Sequence, residues 1–299
     1  MFATFIRAQF IGFFFFVALP SIAQQPLSGN LKDTEDSIKV WFKQITQIND
    51  EQGKLLINNK IVDKFNTVLK ESASFAYPFD SLRFIGRLYA PNHTFRLITW
   101  NVAFTDGSQK YFGFIQMFNA STNEVKVFKL IDKSGEIVNP ENSVLSAGKW
   151  YGGLYYKIVE NKVDNRIYYT LLALHFHDFF TTRKVIDVLF FDNWGNPVFG
   201  APIIQSEKLK AKHRLIFEYS AQVTMNLTYD EKLKTIVFDH LVPSDPQYTG
   251  MFSYYGPDMS FDGLTFKNGR WIWNSNLDVR RSSESTKRQS RPHPPKLSR

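Results

Sequence analysis

His175 and His177 stand two residues apart, with Asp178 directly after them. Residues two apart on a strand share a face. This spacing can therefore offer two imidazoles to one zinc ion, with a third ligand drawn from elsewhere in the chain. His213 and His240, also on expected strands, are candidate donors. The stretch 239–263 carries the densest polar information: Asp239, His240, Ser244, Asp245, Asp258, Ser260 and Asp262. Asp258-Met-Ser-Phe-Asp262-Gly263 matches the first half of a calcium loop, with oxygen donors at positions one, three and five and glycine at six. The twelfth position, where a bidentate Glu belongs, is Gly269. Capped turns are thus the expectation for Asp258, Ser260 and Asp262, no cofactor is expected, and calcium is the alternative. Asp239 and Asp245 would serve as an acid–base pair in glycoside hydrolysis if held about 5–9.5 Å apart across a cleft.

Aromatic residues make up 16% of the chain, 29 of them Phe. Most must be core, but two groups lie beside Gly- or Pro-rich loops: Trp150-Tyr151 with Tyr155-Tyr156, and Tyr248 and Phe252 with Tyr254-Tyr255. Exposed aromatic faces stack on sugar rings and drive protein contacts, so Trp150, Tyr151, Tyr254 and Tyr255 are the ligand-binding candidates. The chain has no Gly-x-Ser-x-Gly, no His-Glu-x-x-His and no phosphate-cradling Gly-x-x-x-x-Gly-Lys. With no cysteine, thiolate metal sites, disulfides and Cys nucleophiles are excluded.

The elements that must position these groups fall into two regimes. Ile38, Trp41, Phe42, Ile45 and Ile48 recur at helical spacing over 33–48, and Ile61, Val62, Phe65, Val68 and Leu69 do so over 55–71. These predict a helical pair, with 26–33 as a linker before it. From about residue 83 the period changes to two, in runs rich in aromatic and β-branched residues. Strands are expected at 94–104, 110–118, 124–131, 151–160, 166–175, 183–191, 197–204, 213–220, 221–229, 234–242, 263–267 and 270–274. Asp106-Gly107, Gly195-Asn196 and Asn268-Gly269 are turn signals between them, and Lys267-Asn-Gly-Arg270 is the strongest hairpin signal. The fold class expected is mainly β: an antiparallel meander of about a dozen strands, closed as a sandwich, barrel or irregular propeller, with an N-terminal helical pair.

The ends of the chain read differently. Arg7, the apolar run 10–19 and Ser21-Ile-Ala23 have the form of a secretory signal over 1–23. The run is too short to span a membrane, which takes about 20 residues, and no transmembrane segment is expected in the mature chain. Residues 280–299 hold seven Lys or Arg against Glu284, a net +6 out of the chain's +8. The body is therefore close to neutral, and no organised basic surface for nucleic acid is expected. The resulting division is 1–23 signal, 24–82 linker and helical pair, 83–280 β-rich domain, and 281–299 disordered basic tail.

Tyr77-Pro-Phe-Asp-Ser-Leu82, Lys110-Tyr-Phe-Gly-Phe-Ile115, Trp150-Tyr-Gly-Gly-Leu-Tyr-Tyr156, Phe217-Glu-Tyr-Ser-Ala221, Val237-Phe-Asp-His-Leu241 and Tyr255-Gly-Pro-Asp258 carry a resemblance to an uncharacterised family of exported proteins common in Bacteroidota. It covers about two thirds of the chain and implies export to the periplasm or cell surface. It brings no active site. Leu174-His-Phe-His-Asp178 departs from the Gly-, Asn- and Asp-rich loop the resemblance would place there. The functional expectation is an exported β-rich protein acting by binding or structural interaction, with a glycan or an envelope protein as partner. The alternative is an envelope polysaccharide hydrolase using the carboxylates of 239–262.

Overall fold

The computed structural model describes residues 27–208 and 210–278; the expected signal and the expected basic tail lie outside them. Three helices come first: α1 Leu27–Ile45, α2 Glu51–Val68 and α3 Ser72–Ala76. The segment expected to be a linker is instead the opening of α1. Leu31, seven residues before Ile38, extends the same apolar stripe by two turns and is 3% exposed. Asp50 caps α2 through its Oδ1, which accepts the Gly53 amide at 2.6 Å.

Sixteen strands follow among the described residues. The first four, β1 Gly86–Tyr89, β2 Phe95–Ala103, β3 Gln109–Asn119 and β4 Glu124–Ile131, form an antiparallel meander. A second sheet has the order β5-β9-β8-β7-β6, built from β5 Leu145–Ser146, β6 Leu154–Val163, β7 Arg166–Phe176, β8 Thr181–Phe191 and β9 Pro197–Phe199. The remaining strands are β10 Ile204–Gln205, β11 Ala211–Lys212, β12 Leu215–Ser220, β13 Leu227–Asp230, β14 Thr235–Pro243, β15 Tyr255–Lys267 and β16 Arg270–Asn274. β12 pairs with β8 in the second sheet, and the others form a third sheet ordered β11-β10-β16-β15-β14-β13. All pairings are antiparallel except β10 with β16. The architecture is mainly β, as expected, but the described strands form three open sheets and no closed barrel.

Side-chain alternation stacks these layers. On β2, Ile98, Trp100 and Val102 face the helices, while Phe95 and Leu97 face the second sheet. On β7 and β8, Leu171, Ala173, Val185 and Leu189 face the first sheet; Leu172, Ile186 and Val188 pack against Ile236, Phe238, Leu264 and Trp271 of the third. The first two sheets are thus buried on both faces, and the buried tryptophans find partners for their N–H groups: Trp100 on Asn58, Trp150 on Tyr155 and Trp271 on Thr170. No helix among the described residues is long and apolar enough to cross a membrane.

The predicted hairpin forms as β15–β16, with Asn268 and Gly269 at φ 49° and 76°, the left-handed pair that a two-residue turn requires. The strand expected over 221–229 shrinks to β13. Val223 turns back onto the Ser220 carbonyl and is 41% exposed, while Met225, expected on the same side, is buried. The expected 197–204 strand breaks at Gly200, whose φ of 93° ends β9.

Antiparallel registers give the stack two distinct ends. Phe95 touches Tyr169 and Phe191, so the turns at 91–94, 120–123, 164–165 and 192–196 share one end. Tyr111 reaches Phe176, and Phe179 covers Gly107, so the turns at 104–108, 177–180, 221–226 and 244–254 share the other.

Candidate functional site

The segment between β14 and β15 holds the most organised exposed surface among the sequence candidates. Two short 3-10 turns, Pro246–Tyr248 and Phe252–Tyr254, follow each other, and Asp245 accepts the Gln247 amide to start the first. Ser244 donates its amide to the Tyr254 carbonyl, and Gly250, at φ 87°, donates its own to the Tyr255 hydroxyl. These bonds fix two rings face to face: Tyr248 and Tyr254 lie 4.1 Å apart between centroids and 9° from parallel. Tyr254 remains 43% exposed. Beside it lies a cleft of about 310 Å³ lined by Ser220, Gln222, Val223, Ser253, Tyr254 and Tyr255 among others. None of its lining residues carries a carboxylate. The site thus offers one flat aromatic face, several neutral hydrogen-bonding groups and no candidate acid or base.

The other aromatic pair lies elsewhere. Trp150 is fully buried and Tyr151 nearly so, in the core between the first and second sheets, so neither presents a face to a ligand. Their glycines explain this: Gly152 and Gly153, at φ 80° and 143°, turn the chain so that β6 starts only at Leu154. Tyr151 instead accepts a hydrogen bond from Arg183, which is paired with Glu218 at 2.8 Å.

The carboxylates of 239–262 are each committed to a local partner. Asp239 is buried and takes both the backbone and side-chain N–H of Asn226. Asp262 is buried and bonds to the His240 ring at 2.8 Å and to the Asn276 amide. The hydrogen bond to Asp262 raises the His240 pKa above its ordinary value. Asp258 accepts the hydroxyl and amide of Ser260, which hold its carboxyl below the usual range. Asp258, Ser260 and Asp262 therefore lie on a strand and not in a loop. Between the pairs Leu241–Pro257 and Asp239–Phe261, one residue of β14 faces three of β15; this bulge leaves Asp258 exposed while Asp262 turns inward.

His175 and His177 do share a face, with ring centroids 6.3 Å apart. His175 is 4% exposed, lies between the rings of Tyr111 and Tyr151 at 4.5 and 5.4 Å, and neither of its nitrogens has a hydrogen-bond partner. Burial, with Arg183 adding to it, pushes its pKa down to about 3, so the ring is neutral. His177 is half-buried, 3.8 Å from Asp178. Among the described residues no group of three or more His, Asp or Glu is arranged to hold a metal ion.

Sequence reasoning passed over the opposite end, where Trp194 is 80% exposed in the β8–β9 turn. A signal was present: a tryptophan inside Asp192-Asn-Trp-Gly-Asn196 sits in a tight turn with no core to enter. Compared with known protein families, with curated proteins and with solved structures, the chain matches none.

Proposed function

We propose that the protein is an exported binding protein that holds a neutral oligosaccharide, without chemical turnover, on the Tyr248–Tyr254 face. The observation that carries this reading is the half-exposed tyrosine stack beside a carboxylate-free cleft whose lining mixes Val223, Val242 and Pro257 with the hydroxyl and amide groups of Ser220, Gln222 and Ser253. A sugar ring presents an apolar C–H face suited to Tyr254 and a belt of hydroxyls suited to Ser220, Gln222 and Ser253. Because the turns already fix Tyr254, little ordering entropy opposes binding. Export to the periplasm or cell surface rests on the form of residues 1–23 and on the resemblance those segments carry, and the glycan is then one met in the envelope.

Calorimetric titration of the full mature chain with a panel of neutral gluco-, manno- and xylo-oligosaccharides tests the reading. Binding of at least one of them, weakened about tenfold or more by Tyr254→Ala, is the expected result, since a stacked ring contributes on the order of 1 kcal/mol beyond its buried area. Absence of binding across the panel at millimolar ligand, or binding indifferent to Tyr254→Ala, would overturn it.

A further inference from the structure

The end of the stack that carries Trp194 holds a cleft of about 670 Å³, and its chemistry differs from that of the tyrosine face. Its walls come from the β6–β7 turn and the β8–β9 turn: Asp164, Asn165, Arg166 and Tyr168 on one side, Phe191 and Asn193 on the other. Arg166 is exposed, and its guanidinium lies 5.4 Å from the Phe190 ring centroid, which holds it in place without neutralising it. No carboxylate among the described residues forms an ion pair with it. The neighbouring turn is rigid. Asp192 accepts the amides of Trp194 and Asn196 at 2.9 and 2.8 Å and the Asn196 side chain at 3.1 Å, while Gly195 supplies the φ of 79°. Trp194 is therefore presented to solvent from a fixed platform next to Asn193 on the cleft wall. Beyond the same turn, Lys126 approaches Gly195 and lines a second cleft of about 520 Å³ with Asn92 and His93.

We infer that this end is a second binding site, for a carboxylate-bearing oligosaccharide such as an oligouronide, with the acid on Arg166 and a ring on Trp194. An exposed indole suits the C–H face of a sugar. Asn165 and Asn193 each offer a donor and an acceptor to ring hydroxyls, and Asp164 accepts from them. An unpaired guanidinium adds a charge-assisted bond that only an acidic sugar can complete. Asp192 stays anionic, but the N–H groups of Trp194 and Asn196 occupy both of its oxygens and offset part of that charge, which leaves Arg166 as the group that meets the acid. This site stands apart from the tyrosine face in residues and in ligand charge.

Calorimetry of the mature chain with an oligogalacturonide and with a neutral oligosaccharide of equal length decides the matter. In the Tyr254→Ala background, which takes the tyrosine face out of the comparison, the acidic ligand should bind at least tenfold more tightly. Arg166→Gln should abolish that preference, Trp194→Ala should weaken the acidic ligand about tenfold, and Tyr254→Ala should leave it unchanged. Both altered residues at this end are exposed, so circular dichroism and melting should match the parent. Equal binding of the two ligands in the Tyr254→Ala background, no oligogalacturonide binding at millimolar concentration, or acidic binding lost with Tyr254→Ala and kept with Trp194→Ala would each overturn the inference. Loss of neutral binding alone with Tyr254→Ala bears only on the tyrosine face.

Discussion

At the aromatic end, Asp245 caps the 246–248 turn and Asp178 accepts the amides of Phe180 and Thr181; at the polar end, Asp192 closes the turn that carries Trp194. The two ends share this construction, with carboxylates holding backbone, and differ in what stands above it. Phe179, Phe180, Met251, Phe252 and Tyr254 are exposed at one, Arg166, Trp194 and a set of asparagines at the other. Rigid turns are thus a common platform, and side-chain chemistry is free to differ over it. The buried clusters lie in the layers between the two ends, while the groups that would meet a ligand are exposed.

The strongest way to break that division is to damage the interior. Asp187 and Arg214 form a fully buried pair at 3.1 Å between the ends, with Tyr155 also donating to Asp187 and Arg214 reaching the carbonyls of Pro140 and Ser143. Arg214→Met leaves a buried carboxylate alone and should cost about 3–5 kcal/mol in chemical denaturation. Adding Asp187→Leu should recover most of that loss. A single-variant cost under about 1 kcal/mol would show that this interior does not hold the ends together.

Acid acts on the interior through two histidines. The folded-state pKa of His175 lies below its unfolded value of about 6.5, so the unfolded chain gains the proton first and stability falls as pH drops from about 6.5 toward about 3. At pH 4.5 the loss should be on the order of 2–3 kcal/mol relative to His175→Phe, which keeps a flat ring between Tyr111 and Tyr151. His240 acts in the opposite sense: Asp262 raises its pKa, so its contribution is full below about 6.5 and is lost as pH rises through the folded value. Parallel stability–pH curves for the parent and His175→Phe would contradict the buried, partnerless imidazole.

Smaller effects are expected at the ends themselves. Tyr254→Ala should cost at most about 1.5 kcal/mol of unfolding free energy, because it removes the stack on Tyr248, and Trp194→Ala no more than about 0.5 kcal/mol, as exposed positions do. A larger change at either would mean that its end is part of the core. Asp258→Asn should also cost at most about 1 kcal/mol, because an Asn oxygen can still accept from Ser260, and millimolar calcium should leave the melting curve in place. A calcium-dependent rise lost in Asp258→Asn would instead give that bulge a cation-binding role.

The helices and long strands were legible because Phe65 and Val62, or Phe95 and Leu97, follow one period and bury one face. What failed was local where tertiary contacts override pattern. Residues 222–226 alternate well but the ladder with β14 begins only at Leu227, and Trp150 looks loop-borne until Gly152 turns it inward. Of the site, Tyr254 was readable from its Pro- and Gly-rich surroundings. The Tyr248 stack was not, because it depends on two successive 3-10 turns. The polar cleft was out of reach for a different reason: Arg166 and Asn193 meet only through the order of strands in the second sheet.

The central claim, a neutral sugar held on the tyrosine stack, is tested most directly by amide and indole NMR spectra of the mature chain during titration with the neutral oligosaccharide. The largest shifts should fall on Gln222, Val223, Tyr248 and Tyr254, saturating together, with the Trp194 indole nearly still. Shifts centred on Trp194 with Tyr248 and Tyr254 unmoved, or no shifts at millimolar ligand, would contradict it.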